Sequence, residues 1–370
     1  MKMTFRWYGS ENDQITLEDI RQIPGMSGVV PAIWDEPVGA AWPEEKIKAM
    51  VEEIHAAGLE AEIVESVNIH DDIKIGLPSR DEYIENYKTT IRRLSKYGVK
   101  AICYNFMPVF DWLRTDLAMK LEDGSTALAY VRDLVPESAE EMVKQMEDGA
   151  NGKVLPGWEP ERLANVKELF AKYEGVDDKK LFDNLVYFLE AIMPTCEECD
   201  VKMAIHPDDP PYSLFGLPRI VNDRDNIKAL LDAVDTPYNG LTFCTGSLGS
   251  KPTNDLPAMI REFTGRIVFA HVRNIKFMNE AKTDFHESSH LSADGDVDMY
   301  EVLKALYETG FDGYMRPDHG RAIWHHIAEI GNPGYSLFDR ALGAMYLNSM
   351  WETLTKDDER GVAHFGNLAK

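Results

Sequence analysis

The sequence has few cysteines and no long apolar run, and these absences narrow the class of protein. Four cysteines in 370 residues are too few for a disulfide framework. The longest stretch without a formal charge, Thr236–Ser250, is shorter than a membrane span and rich in Gly, Ser and Thr. The segment Met1–Gly9 lacks the long apolar run of a signal peptide. We therefore expect a cytoplasmic protein with reduced thiols and no membrane partner.

Basic residues are also scarce. The chain carries 39 Lys and Arg against 63 Asp and Glu, which gives a formal net charge of -24. A surface this acidic repels phosphate backbones and anionic lipids, so we expect no nucleic-acid partner. A site for an anionic substrate would need local positive charge from arginines or from a metal ion.

Short apolar runs alternate with amphipathic segments along the chain. Hydrophobic residues make up 44% of the sequence, which is enough for an ordinary core. The predicted strands are Thr4–Trp7, Gly28–Ile33, Glu60–Val64, Lys100–Asn105, Val201–His206, Gly240–Cys244, Arg266–His271 and Gly313–Arg316. The predicted helices are Thr16–Gln22, Pro43–Ala57, Arg80–Tyr97, Asp178–Cys199, Asp223–Val234, Leu256–Phe263, Asp298–Thr309 and Ser336–Met350. Eight strand-then-helix units predict an α/β fold, a (β/α)₈ TIM barrel in one domain spanning residues 1–370.

A doubly wound open sheet is the alternative fold. No Gly-x-Gly-x-x-Gly motif follows the first strand, so nothing supports a dinucleotide site. Between the fourth strand and its helix, residues 110–177 form a long acidic insertion that we expect to be helical. This insertion could shape the mouth of the barrel or contribute to a homodimer contact.

Four consecutive predicted strands deliver metal-ligand residue types to one rim. The fifth ends at His206, the sixth at Cys244, the seventh at His271, and Asp318 follows the eighth. A lone histidine at a strand end is usually an ordinary polar residue, but four ligand types at corresponding places favour a metal site. One thiolate, two imidazoles and one carboxylate suit Zn²⁺, Fe²⁺, Co²⁺ or Mn²⁺. A catalytic ion would also need an open coordination position.

Arginines gather near the same rim. Arg273 lies two residues after His271, and Arg316 and Arg321 flank Asp318. Their forked guanidinium groups bind carboxylates in a bidentate way, so Arg273 and Arg316 are candidates for holding an anionic substrate. Structural ion pairing is an equally reasonable interpretation of any single arginine.

Other predicted loops supply further candidate substrate contacts, and each has a plain alternative. Asn105 and Asp111 follow the fourth strand, and His70 follows the third, where it could equally be an exposed loop residue. Trp7 ends the first strand and could wall the pocket or pack the barrel. Tyr335 follows a Gly-Asn-Pro-Gly loop and could act as an acid or simply lead into the last helix.

Two tempting motifs are not interpreted as metal sites, and the first of them is better interpreted as structural. Cys196 and Cys199 have redox spacing, but they lie at a helix end beside acidic residues that make thiols less reactive. His286 and His290 lie in a segment after the seventh strand that suggests a mobile lid or a substrate loop. We do not assign a metal to either pair.

Several sequence blocks together resemble the D-mannonate dehydratase family. The blocks are Tyr104–Trp112, His206–Pro211, Phe243–Ser247, His271–Asn274 and Met315–Arg321. The similarity extends from Arg6 to the last predicted helix and shows no departure at the candidate ligand positions. It implies a xylose-isomerase-like barrel that dehydrates D-mannonate to 2-dehydro-3-deoxy-D-gluconate in hexuronate (glucuronate) catabolism. It also implies Mn²⁺ or Fe²⁺ bound by His206, Cys244, His271 and Asp318.

The chemistry of such a dehydration fits the residues at the rim. Removing the C2 proton builds negative charge on the neighbouring carboxylate, which a divalent ion stabilises. A base must take that proton and an acid must protonate the departing C3 hydroxyl. We predict that His319 and Tyr335 form this pair, without deciding which is the base. Bound to a metal, Asp318 would be a poorer base, since the ion lowers its pKa.

Three other functions stay open from the residues alone. A sugar isomerase or epimerase on the same barrel would use a metal-bound polyol without a leaving hydroxyl. A metal-dependent phosphodiesterase or endonuclease is disfavoured by the net charge of -24. A non-catalytic sugar-acid-binding or metal-binding protein would hold its ion in a closed four-ligand site.

Overall fold

A computed structural model describes residues 1–153, 155, 158, 164, 166–327 and 330–359. Its strands are β1 (Lys2–Arg6), β2 (Gly28–Val30), β3 (Ile63–Glu65), β4 (Ala101–Tyr104), β5 (Asp116–Lys120), β6 (Thr126–Tyr130), β7 (Lys202–Ile205), β8 (Asn239–Cys244), β9 (Ile267–Val272), β10 (Asn274–Phe277), β11 (Phe285–Ser288) and β12 (Tyr314–Pro317). Eight of them form one parallel sheet in the order β2-β1-β12-β9-β8-β7-β4-β3. All eight predicted strands are therefore confirmed as members of the barrel sheet.

The sheet closes where its two end strands meet. Gly28 of β2 forms a parallel bridge with Glu60, just before β3, and the Val29 amide donates to the Glu60 carbonyl at 2.9 Å. A Cβ at position 28 would lie 2.5 Å from the Glu60 carbonyl oxygen, so glycine permits this approach. Closure brings the carboxyl ends of all eight strands to one rim.

Helices follow the barrel strands and cover the sheet. They are α1 (Leu17–Arg21), α2 (Glu44–Ala56), α3 (Asp71–Ile75), α4 (Arg80–Lys96), α5 (Ala139–Ala150), α6 (Val166–Lys172), α7 (Asp178–Cys199), α8 (Arg224–Ala233), α9 (Thr245–Gly249), α10 (Leu256–Glu262), α11 (Met299–Glu308) and α12 (Leu337–Glu359). Their apolar faces are buried against the strands; in α2, Ile47, Val51 and Ile54 are buried at helical spacing. The last helix continues nine residues beyond its predicted end at Met350.

The insertion after β4 is only partly helical, so the expectation of a helical segment was incomplete. It contains α5 and α6, but β5 and β6 form a hairpin whose turn includes Asp123 and Gly124. After β9, β10 and β11 form a second hairpin, and β11 pairs with β6. The four strands make an antiparallel sheet in the order β10-β11-β6-β5, which we call the accessory sheet.

The described helices include none that is both long enough and apolar enough to cross a membrane. The four cysteines are all free, and Cys196 and Cys199 lie at the end of α7. Burial raises the pKa of Cys196 to about 12, so this thiol is unreactive. That agrees with a structural interpretation of the pair.

Candidate active site

The four predicted metal ligands come together at the carboxyl rim of the barrel. Each of His206, Cys244, His271 and Asp318 offers a donor atom, and these atoms all lie within 4.8 Å of one another. Cys244 and His271 are register partners on β8 and β9, and β12 leads directly into Asp318. The parallel register thus places side chains from distant parts of the sequence around one point.

The chemistry of this donor set fits a divalent ion. The Nδ1 atom of His206 lies 2.7 Å from the Pro207 carbonyl, so its hydrogen goes there and the Nε2 lone pair is left for the group. Among the described residues, the buried Nε2 atom of His271 has no hydrogen-bond partner. An imidazole nitrogen without a hydrogen-bond partner beside a thiol and a carboxylate is the arrangement expected of a metal site.

The electrostatics of the group also favour a bound cation. Burial opposes protonation of His206, but the neighbouring Cys244 and Asp318 outweigh it and raise the pKa of His206 to about 9. Burial would raise the pKa of Cys244, yet the charges of Arg273 and His206 hold that pKa below its usual value. The site therefore stabilises both a positive charge and a thiolate, as metal binding requires.

A second potential ligand group shares one histidine with the first. Glu65, Cys103 and His271 also place ligand atoms within 4.8 Å of one another. Burial raises the pKa of Cys103 well above its usual value, and Arg316 already pairs with Glu65. The four-residue group is the better metal site because it has more donors and a more acidic thiol.

A cleft of about 450 Å³ opens beside the four ligands. Its lining includes Glu65, Ser66, Cys103, Tyr104, Asn105, Asp111, Trp112, His206, Asp209, Arg273, Arg316, Asp318, His319 and Tyr335. The structure thus brings most predicted site residues to one cavity, including the predicted acid–base pair.

Two predicted substrate contacts do not line this cleft. The Trp7 side chain is buried and its indole nitrogen donates to the Ile15 carbonyl at 3.2 Å. His70 precedes α3, where its Nδ1 atom accepts from the Asp72 amide at 3.1 Å and its ring stacks on Tyr83. Packing and helix capping account for these two residues without a substrate.

Arg273 and Arg316 line the cleft, but both are engaged by carboxylates. Arg273 Nε lies 3.0 Å from Asp318 Oδ2, and Arg316 Nη2 donates to Asp318 Oδ1 at 2.7 Å. Burial would raise the pKa of Asp318, but His271, Arg316 and other cations keep it well below its usual value. The two arginines therefore hold Asp318 ionised and oriented toward the other ligands.

Arg321 has a different place from the one that the sequence suggested. Its guanidinium group pairs with Asp339 at 3.0 Å and Asp123 at 2.9 Å, and it is absent from the residues that line the cleft. Structural ion pairing was the correct interpretation for this arginine.

The predicted acid–base pair is in direct contact. The Nε2 atom of His319 lies 3.1 Å from the Tyr335 hydroxyl oxygen, and both side chains are buried. Burial is the main cause that raises the pKa of Tyr335 well above its usual value, so this phenol stays neutral and can donate a proton. The Trp112 ring meets the His319 ring edge-on at 5.7 Å between centroids.

Sequence reasoning missed three charged residues of the site, namely Arg114, Asp209 and Glu287. Arg114 forms a bidentate pair with Asp209 at 2.8 and 2.9 Å and reaches Glu287 at 2.9 Å. Arg273 contacts the same two carboxylates. The doubled aspartate after His206 was the available signal for Asp209; the other two come from segments whose strands were not predicted.

Comparison with known proteins identifies the family. The family described as D-mannonate dehydratase (UxuA) matches residues 1–360. The mannonate dehydratase of Thermotoga petrophila is 56% identical over 363 residues, covering 97% of this chain and 99% of the relative. The crystal structure of mannonate dehydratase from Streptococcus suis serotype 2 superposes with a TM-score of 0.86 at 44% identity, covering 97% of this chain and 96% of that one. A xylose isomerase-like TIM barrel protein from Mycobacterium smegmatis shares the fold at 14% identity and a TM-score of 0.55, covering 91% of this chain and 87% of that one. The chain belongs to the D-mannonate dehydratase (UxuA) family.

Proposed function

We propose that this chain is a hydro-lyase that removes water from D-mannonate and gives 2-dehydro-3-deoxy-D-gluconate in hexuronate breakdown. One observation carries the proposal: the contacting His319–Tyr335 pair lines the same cleft as His206 and Asp318, two members of a four-donor group that could hold a metal ion. The similarity to mannonate dehydratases over 97% of the chain supports the choice of substrate.

His206, Cys244, His271 and Asp318 would hold the divalent ion, which we propose to be Mn²⁺ or Fe²⁺. Both metals accept mixed nitrogen, oxygen and sulfur donors and can keep open positions for a substrate. When bound, the ion supplies electrostatic stabilisation of the charge that develops on the substrate carboxylate and C2 hydroxyl.

The protein residues supply the proton transfers and the orientation. One member of the His319–Tyr335 pair takes the C2 proton, and the other protonates the C3 hydroxyl as it leaves. Asn105 and Asp111 line the cleft, where we propose that they bind substrate hydroxyl groups. Arg273 and Arg316 line the cleft, and we propose that the substrate carboxylate lies beside their guanidinium groups.

The test is product analysis with protein loaded separately with Mn²⁺ and Fe²⁺. D-mannonate should give a 2-keto-3-deoxy acid by NMR, whereas its C2 epimer D-gluconate should react more slowly. Tyr335→Phe should lower kcat by about 100-fold or more, as expected for loss of an acid–base group. Tyr314→Phe is the matched control, because it removes the hydroxyl group of a tyrosine that lies at the amino end of β12 and does not line the cleft. An isomeric sugar acid as the product, or full activity of Tyr335→Phe, would contradict the proposal.

We also propose that the chain forms a homodimer through the outward face of α12. Phe338, Leu342 and Met345 share one face of this helix, where Leu342 is 49% exposed and Met345 is 40% exposed. The 49% exposed Trp324 lies beside them, with its ring 6.0 Å from that of Phe338. A chain with a net charge of -24 repels its own copies, so an uncharged face is the place for a self-contact.

Light scattering coupled to size-exclusion chromatography tests this contact. Leu342→Asp should give a monomer, because it places charge in the apolar face. Leu134→Asp is the matched control, since Leu134 is 54% exposed but lies in the insertion. A monomeric unmodified protein, or a Leu342→Asp variant that stays dimeric, would refute this interface.

The compartment is proposed to be the cytoplasm. All four cysteines are free, and those of the candidate site and the barrel are buried. A thiol that binds metal must stay reduced, which the cytoplasm ensures.

A further inference from the structure

Glu287 is a buried carboxylate on which three donors converge. Its Oε1 atom accepts from Arg114 Nη2 at 2.9 Å and from Arg273 Nη1 at 2.7 Å. The same oxygen lies 2.6 Å from Nδ1 of His319. The side chain is 1% exposed, so these contacts hold it without help from solvent.

Glu287 reaches the cleft from outside the barrel. It lies on β11 of the accessory sheet, opposite Ile275 on β10. Arg114, which grips it, lies just before β5 at the start of the same sheet. The accessory sheet therefore places the Glu287 carboxylate against His319, and Arg114 from the start of the same sheet holds that carboxylate.

The contact with Glu287 determines where the hydrogen of His319 lies. The arginines and His319 hold the pKa of Glu287 below its usual value, although burial opposes them, so the group is an acceptor only. Nδ1 of His319 must then donate to it, so in the neutral imidazole the lone pair lies on Nε2. That lone pair faces the Tyr335 hydroxyl group at 3.1 Å.

We propose that Glu287 is a positioning residue that holds His319 as the Nδ1–H tautomer and so makes its Nε2 atom the base of the reaction. This inference rests on the proposed dehydration. By the same geometry Tyr335 is the acid. A carboxylate that orients a catalytic imidazole has the same physical role in serine-protease triads.

The proton transfers balance in this assignment. The C2–H bond breaks and its proton goes to Nε2 of His319, while the electron pair forms the C2–C3 double bond. The C3–O bond breaks, and the leaving hydroxyl takes the Tyr335 proton and departs as water. The enol then becomes the 2-keto acid by moving its hydroxyl proton to C3. Transfer from Nε2 to the Tyr335 oxygen across their contact restores both residues.

The two test variants are Glu287→Gln and Glu287→Ala. In the glutamine variant the amide oxygen should take the place of Oε1, because arginines can only donate, and the tautomer is kept while the negative charge is lost. In the alanine variant His319 loses its acceptor altogether. We expect kcat to fall about 10-fold in the glutamine variant and about 100-fold or more in the alanine variant, with KM changed less than kcat.

The matched control is Asp209→Asn. Asp209 pairs with the same two arginines, Arg114 and Arg273, but the hydrogen bonds recorded for it do not include His319. The spectroscopic readout is the ¹⁵N signal pair of the His319 imidazole, assigned by its loss in His319→Gln. This signal should report Nδ1–H in the unmodified protein, in Asp209→Asn and in Glu287→Gln, and should change in Glu287→Ala.

Metal content is measured for every variant, so that a loss of ligands is not mistaken for a loss of positioning. An unchanged tautomer in Glu287→Ala, or a kcat within twofold of the unmodified value, would overturn the proposal. The same holds if Asp209→Asn and Glu287→Ala alter the His319 signal equally. If Glu287→Ala does not fold, the proposal stands or falls on Glu287→Gln, whose kcat must drop at constant metal content. The tautomer signal does not depend on turnover, so it distinguishes a failure here from inactivity toward D-mannonate.

Discussion

Gly246 permits the position of Arg273, and replacing it with alanine tests how tightly the site is built. Gly246 lies in α9, directly after Cys244 and Thr245. A Cβ added there would lie 2.7 Å from the Cγ, Nε and Cζ atoms of Arg273. The Arg273 side chain is 1% exposed and is held by Asp209, Glu287 and Asp318, so it cannot simply swing away.

The size of the effect follows from these contacts. An ordinary contact begins at 3.4 Å, so the guanidinium group must move by about 3.4 − 2.7 = 0.7 Å. Overpacking of this kind costs about 1–3 kcal/mol, and a weakened charge-assisted hydrogen bond adds about 1.5–3 kcal/mol. Allowing for partial relaxation, we expect Gly246→Ala to lower the free energy of unfolding by about 2–4 kcal/mol. Misplacing Asp318 and Glu287 should lower kcat/KM by about 10- to 100-fold.

Chemical denaturation and steady-state kinetics, both with saturating metal, measure the two effects. Gly249→Ala is the matched control in the same helix, since its Cβ would press on Val297 and not on Arg273. It should lose stability but keep its kcat/KM. In an Arg273→Met background, Gly246→Ala should cost much less additional activity, since its target is gone. The reasoning is refuted if Gly246→Ala stays within about 0.5 kcal/mol and twofold in kcat/KM of the unmodified protein.

Three further predictions concern metal, barrel closure and thiols. Chelation should lower Tm, because an ion at 100 times its Kd stabilises the native state by about 2.7 kcal/mol. The Cys244→Ala variant should bind less metal by elemental analysis, and chelator should change its Tm little. A chelator-induced fall in Tm as large as that of the unmodified protein would count against the ligand set. Gly28→Ala should lower the free energy of unfolding by about 1–3 kcal/mol in urea titrations, because its Cβ meets the Glu60 carbonyl where the barrel closes; an unchanged midpoint would contradict this. At pH 8 iodoacetamide should label Cys199 well before Cys196, whose raised pKa of about 12 keeps it a neutral buried thiol, and mass spectrometry of tryptic peptides would expose the reverse order.

The barrel and its ligands could be predicted because local signals and fold geometry agree. Short apolar runs mark strands that are buried on both faces, and the parallel arrangement then forces their carboxyl ends together. The side chains of His206, Cys244, His271 and Asp318 could therefore be predicted to meet at one rim, where the structure brings them together. Their role as metal ligands stays a prediction. The sequence also predicted that His319 would work with Tyr335, which lies in the loop before α12, and the structure places these two side chains in contact.

The accessory sheet could not be predicted in the same way. Its four strands come from two segments more than 140 residues apart, and β11 of one pairs with β6 of the other. An isolated two-stranded hairpin is at best marginally stable, so neither segment alone predicts the sheet. The Asp123–Gly124 pair was a usable hairpin signal, but the acidic surroundings suggested helix. Glu287 was missed because nothing local distinguishes it from the many other acidic residues. Trp7 and His70 do not line the cleft, because position after a strand does not say which way a side chain points.

The barrel strands hold the metal ligands, whereas a separate pair of hairpins supplies Glu287 and Arg114. In our proposals, binding of the ion and tuning of the base thus depend on different pieces of backbone. An engineer can vary the hairpin that carries β11 while leaving the ion-binding core untouched. Grafting that hairpin onto another barrel of the same fold would then test whether dehydratase activity can be transferred together with Glu287.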